Sequence, residues 1–338
     1  MSHASLASIV SLALVTLSPA TSELQRGQKA EHRFDKTLLN GLGVTSLDDL
    51  RGKPILVAYW GHATWADDWV DDAVVWQKQF GDDLAVIMAD VTAPDLDTIE
   101  AVALQKKWHG SRLMWTKEYV AYAGHEGVPQ FSLLDADGRL LFDGTAGTTG
   151  MNFTGRELQD LEDAIAEQVR LRREGPDGTP PAVGGTYRCY AKGEIARAFA
   201  DARALVGGEG SFEARADASA AAVALAEFER RVGRSLSRVE ALLDAGRMVE
   251  AEAELAPLEG ELDGEAELRT RYEALVERHA SDASAEEREA AEALAKIKAK
   301  IDRKGLKKAS VRALESFAKK HAGTQSAARA ERWASLAD

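Results

Sequence analysis

Between residues 53 and 170 the spacing of apolar positions changes several times, and each change predicts an element. "KPILVAYW" (53–60) is a continuous β-rich apolar run after a Gly-Lys turn, the pattern of a strand buried on both faces. Next, Trp65, Trp69, Ala73, Trp76 and Phe80 recur every three or four residues. That spacing predicts an amphipathic helix with Asp67, Asp68, Asp71, Asp72 and Gln77 toward water. "LAVIMADV" (84–91) is a second buried strand, and 95–107 a second helix. After "EGVPQ" come two strands, "QFSLL" and "RLLFDG", joined by Asp135-Ala136-Asp137-Gly138, a hairpin signal. Thr154 and Glu157 form a capping box that opens a closing helix over 154–170.

The pattern then changes character. Residues 174–186, "EGPDGTPPAVGGT", hold three prolines and four glycines and read as a linker. Beyond it no stretch alternates with period two, and Ala, Leu, Glu, Arg and Lys dominate, so 187–338 reads as all helix. Within it "ALLDAGRMVEAEAELAPL" (241–258) has an apolar helix end, then Gly246, Ala251 and Leu255. This resembles the helix-turn-helix of a tetratricopeptide repeat, and "SFAKKHAGTQSAARAERWASL" (316–336) resembles a junction between repeats. One unit is too few for a helical array, and an antiparallel bundle explains the same pattern. The basic stretch 296–320 is read as a solvated helix face.

The segment 45–170 resembles the thioredoxin-like fold, and within it the TlpA-like branch of exported thioredoxins. The matching pieces are "SLDDLRGKPILVAYW", "EGVPQFSLLDADGRLLFDG" and the terminal helix. The resemblance implies an α/β domain with a central mixed sheet flanked by helices, followed here by an all-α domain. It also implies a Cys-x-x-Cys at the start of the first helix, where the helix dipole stabilises a thiolate. This chain departs from that pattern. An ungapped match from Tyr59 and Trp60 puts Thr64 and Asp67 at the two cysteine positions, and a two-residue gap puts Ala66 at the first. Neither register supplies a thiol. Ala58 stands where relatives hold a polar proton helper. Thr64-Trp65-Ala66-Asp67 instead reads as a T-x-x-D capping box. Val128-Pro129 matches the family's cis-proline, which the resemblance places opposite the turn, shaping a groove for extended peptides; Trp65 is a candidate rim contact.

The chain has 338 residues, enough for about two domains, and 45% apolar residues, enough for a core. A formal charge of −13 argues against nucleic acid or an anionic membrane as partner. Residues 6–17 are apolar but too short to span a bilayer, and Ser18, Pro19 and Ala20 follow as small residues. Residues 1–20 therefore read as a secretory signal peptide and 21–44 as an N-terminal extension, although no Lys or Arg precedes the apolar stretch. No other segment reads as transmembrane. The single Cys189 reads as a small buried hydrophobe.

These readings give an exported, redox-inactive scaffold, adaptor or chaperone-like protein, with a protein or peptide partner and no cofactor or metal. The envelope or the medium is its expected location. The alternative is an enzyme with a non-cysteine site around His62, Asp67 and His125, metal-dependent or acid–base, or one keeping thiol–disulfide chemistry through Cys189. Asp135 and Asp137 resemble the start of a calcium loop, but a hairpin turn accounts for them.

Overall fold

The computed structural model describes residues 23–35, 38–62, 67–110, 112–124, 128–145, 153–207 and 212–337. The expected signal peptide, Thr64, Trp65, Ala66 and His125 lie outside the described residues.

A mixed sheet organises the first half. Its strands are β1 (Ile55–Tyr59), β2 (Ala85–Ala89), β3 (Met114–Thr116), β4 (Gln130–Leu134) and β5 (Leu140–Thr145), in the order β3-β2-β1-β4-β5. β1 runs parallel to β2, and β2 to β3, while β4 and β5 are antiparallel. With α1 (Asp67–Phe80) and α2 (Leu96–Lys106) in the parallel crossovers and α3 (Gly155–Glu174) closing the sheet half, this is a thioredoxin-like domain. The continuous apolar runs have a direct cause. Leu56, Ala58, Val86 and Met88 point to the face covered by α1, α2 and α3. Ile55, Val57, Tyr59, Ala85 and Ile87 point to the opposite face, and both sets are buried. Each such Val, Leu or Ile contributes about 1.5–3 kcal/mol on full burial.

The second face is covered by the N-terminal extension and the short 3-10 helix Leu47–Leu50 that follows it. Ala30, Phe34, Leu38, Leu47 and Leu50 pack on it. Gly27 and Ala30 donate to Leu140 and Gly138 along the β4–β5 hairpin. At that hairpin Gly138 takes φ +82°, a conformation that favours glycine. The capping box at α3 forms as expected: Glu157 N–H donates to Thr154 Oγ1, and Thr154 N–H to the Glu157 carboxylate.

The second half is all helical: α4 (Pro181–Ala191), α5 (Ile195–Val206), α6 (Phe212–Asp244), α7 (Met248–Leu255), α8 (Ala266–Ala280), α9 (Ala285–Lys304), α10 (Lys308–Lys320) and α11 (Gln325–Ser335). The linker is shorter than composition suggests, because residues 181–186 are helical. Pro181 occupies the first helical position, where its missing N–H and fixed φ are tolerated, and Val183, Gly184 and Thr186 are buried. The turn at Gly246 (φ +63°) joins α6 to α7 as the 241–258 pattern predicts, with Ala251 buried. The helices vary from the 33 residues of α6 to the 8 of α7, while α4 pairs with α5 and α10 with α11 at similar lengths, so no single repeat length runs through the described residues.

The halves share a core. On α2, Ile99 and Ala103 face the sheet, while Leu104 belongs with Leu294, Ile301, Leu314 and Phe317 of α9 and α10. Between α9 and α10, Leu306 N–H donates to the Leu104 carbonyl at 3.2 Å, satisfying a group that the end of α2 leaves free.

Candidate functional site

The parallel strands β1 and β2 end side by side, where open α/β sheets place their sites. β1 continues through Trp60 and Gly61 to His62, and β2 delivers Asp90. Trp60 is fully buried against Trp108 and Trp115, with ring centroids 5.5 and 5.6 Å away, and it anchors the start of the turn.

Asp90 is completely buried and collects five donors. Its Oδ1 accepts from Thr92 N–H (2.9 Å), Thr92 Oγ1 (2.6 Å) and Ala93 N–H (3.0 Å). Its Oδ2 accepts from His62 N–H (2.7 Å) and pairs with His62 Nδ1 (2.9 Å). Such a constellation fits an ionised carboxylate, which only accepts. His62 Nδ1 therefore carries the hydrogen, and Nε2 is left as the basic atom of a ring whose side chain is 22% exposed. Chemically this is an oriented imidazole that can take up or hand over a proton at Nε2.

Of the expected grouping of His62, Asp67 and His125, His125 lies outside the described residues, and among those described His62 pairs with Asp90 rather than Asp67. Asp67 opens α1 and its carboxylate pairs with Lys106 of α2. Among the described residues no three His, Cys, Asp or Glu side chains stand together as metal ligands. Cys189 sits on α4, partly buried beside the Tyr187–Phe228 core of the helical half, and is not part of the site. Asp90, which sequence reasoning missed, is the partner that matters. Its signal is an acid at the C-terminal end of an otherwise apolar strand, "LAVIMAD".

On the neighbouring side lies a second feature. The Val128–Pro129 peptide is cis. Pro129 walls a cavity of about 210 Å³ together with Trp69, Phe153, Leu158, Asp68 and Asp72. The Trp69 ring stacks at a tilt against Phe153, centroids 4.6 Å apart, and its buried indole N–H has no partner among the described residues. Burial, together with the negative charges of Asp68, Asp71 and Glu162, pushes the Asp72 carboxyl above its usual range. The cavity thus offers an aromatic and aliphatic wall and an acidic edge.

No protein-family model matches the chain, and no curated protein matches it. Among solved structures, it is similar to a provisionally assigned protein disulfide isomerase from Bacteroides thetaiotaomicron, at 20% identity over 44% of this chain and 91% of that one, TM-score 0.33. It is also similar to a provisionally assigned thiol:disulfide interchange protein DsbE from Chlorobium tepidum, at 17% identity over 44% and 99%, TM-score 0.32. A third is the thioredoxin domain of a thiol-disulfide oxidoreductase from Bacteroides vulgatus, at 18% identity over 42% and 99%, TM-score 0.32.

Proposed function

We propose that this chain is an exported, redox-inactive thioredoxin-like protein that binds extended polypeptide at the Pro129 cavity and acts as a scaffold or chaperone-like adaptor. The carrying observation is the cavity itself. Pro129, Trp69, Phe153 and Leu158 give it an apolar wall beside the turn, and the chain's one cysteine lies elsewhere, on α4. A dithiol exchange needs an attacking and a resolving thiol, and the chain has no second cysteine. An aromatic and aliphatic wall suits the apolar side chains of an extended peptide. The acidic edge of Asp68 and Asp72 favours segments carrying Lys or Arg.

The test uses the full chain after Ala20 and a fluorescent, reduced and carboxymethylated polypeptide, read by anisotropy. Saturable binding that falls at least about tenfold in Leu158→Arg supports the reading. Equal binding by parent and variant, or none by the parent, overturns it. Insulin reduction with dithiothreitol should run at the uncatalysed rate. N-terminal sequencing of the protein recovered from the host envelope tests export, and an intact Met1 would refute it.

A second reading rests on the His62–Asp90 pair. A ring held in one tautomer by a buried carboxylate is the arrangement of a general base. In this reading the site is acid–base rather than redox, with His62 as the proton carrier and Asp90 as its positioning residue.

A further inference from the structure

Between the two halves, away from the β1–β2 strand ends, lies a cavity of about 270 Å³. Its walls carry an unusual set of cations. Arg231, Arg234 and Arg238 stand at three- and four-residue spacing on one face of α6. Lys53 comes from the segment before β1, and Arg172 from α3.

The carboxylates nearby are already engaged. Asp83 accepts from Arg172 (2.8 Å) and Glu227 from Arg231 (2.8 Å), while Glu254 accepts from Arg238 (3.2 Å). Asp82 pairs with Arg112, and Asp48 with Arg51. One Asp49 oxygen accepts from the backbone and hydroxyl groups of Thr45 and Ser46 at 2.8–3.1 Å. Two cations remain. Among the described residues Lys53 has no ion pair or hydrogen bond, and the one bond of Arg234 is a long 3.4 Å contact to the Asp48 carbonyl. Arg234 is held close over the backbone at Gly52, where an added Cβ would lie 2.9 Å from its Nη1.

This placement is electrostatically unfavourable as it stands. Burial, with Arg172 adding repulsion, pushes Lys53 down to about 8. Burial beside Arg230 and Arg172 pushes Arg234 down to about 10. Burial and Arg231 push Arg172 down to about 10. Asp82 opposes the shift at Lys53 and Asp49 the shift at Arg234, but burial and the neighbouring arginines outweigh them, so the two cations without a direct ion pair are only partly offset and favour an added anion.

We propose that this cavity binds the phosphate group of a small molecule, seated between Lys53 and Arg234. A phosphate group is tetrahedral and carries close to two negative charges at neutral pH, which matches two unpaired cations on opposite elements. A single carboxylate would leave one of them unmatched. The volume lies near the lower end of small-molecule sites, enough for a phosphate with a short organic remainder. Because Lys53 belongs to the sheet half and Arg234 to α6, the bound group ties the two halves together.

The experiment titrates the full chain with inorganic phosphate, glycerol phosphate or succinate at matched ionic strength, reading thermal midpoint and ³¹P line broadening. A saturable rise in midpoint with phosphate, together with broadening, is the expected result. Arg234→Met should weaken it at least about tenfold, and Lys53→Met with Arg234→Met should abolish it. Both variants should fold at least as well as the parent without phosphate, because each removes a buried cation that its neighbours offset only in part, so loss of binding is not loss of structure. Arg269→Met, an exposed control on α8, should bind like the parent. Tighter binding of glycerol phosphate identifies a phosphate monoester as the ligand, and equal binding identifies free phosphate. No shift beyond that given by sodium chloride at the same ionic strength, an undiminished shift in Arg234→Met, or succinate binding as well as phosphate would each overturn the proposal.

Discussion

The Trp333 indole N–H donates to Glu100 Oε1 at 2.9 Å, linking the last helix of the chain to the second helix of the sheet half. His109 Nε2 reaches the same oxygen at 3.3 Å, and its ring meets Trp333 edge-on with centroids 5.1 Å apart. The two halves are therefore joined by a buried polar contact as well as by the Leu104 core. Trp333→Phe keeps the ring contact and removes the donor. A cost of about 1–3 kcal/mol is expected, read as a lower urea midpoint in one unchanged transition. Two separated transitions would show that the halves unfold independently.

Acid should act on the same contact. Burial works to raise the Glu100 carboxyl, but hydrogen bonds from His109 and Trp333 and the charges of His109 and Arg332 outweigh it and hold it below the usual range. Its contribution is then present above the unfolded value of about 4.3 and is lost as pH falls through the folded one. Burial lowers His109, against the pull of Glu100, so protonation below about 6.5 favours the unfolded chain too. Stability should fall on acidification, and Glu100→Gln should flatten the steepest, most acidic part of the curve. An unchanged slope in Glu100→Gln would place the acid sensitivity elsewhere.

Gly305 follows α9 with φ +73°, and a Cβ there would lie 2.5 Å from the Gln105 carbonyl of α2. Neither the backbone angle nor the close approach admits a side chain. Gly305→Ala should cost more than the roughly 1 kcal/mol of an ordinary left-handed glycine, because α2 and α10 must also move apart. Calorimetry checks this against Gly193→Ala on the turn before α5, which has φ +84° but an open surround.

The sequence exposes the sheet half because its strands are apolar on both faces and its turns carry specific chemistry. β1, β2, the Asp135–Gly138 hairpin and the Thr154–Glu157 cap follow from local pattern alone. β3 does not, since three edge residues carry no period. The cover supplied by Ala30, Phe34 and Leu38 is equally invisible, because these residues lie in irregular backbone. The docking of α2 against α9 and α10 hangs on Leu104, one apolar residue among several on a short helix. In the site, His62 stands out in the turn, but its partner is 28 residues away and across a strand boundary. Proximity in sequence points to Asp67, whereas the parallel pairing of β1 and β2 selects Asp90.

That pairing makes a sharp test of the dyad. In Asp90→Asn the amide NH₂ should take the Oδ2 position, since two donors face it there against three at Oδ1. The amide then donates to His62 Nδ1, and the ring hydrogen must move to Nε2. The His62 backbone N–H loses its acceptor, which costs about 1–3 kcal/mol. Asp90→Ala strands all five donors and should cost about 3 kcal/mol or more. Nitrogen-15 NMR of the ring distinguishes the tautomers directly: Nδ1–H in the parent, Nε2–H in Asp90→Asn. If the His62–Asp90 pair carries acid–base chemistry, that shift removes the basic nitrogen from the exposed side of the ring while leaving the fold in place. A parent ring already in the Nε2–H form would remove the basis for assigning His62 a proton-carrying role.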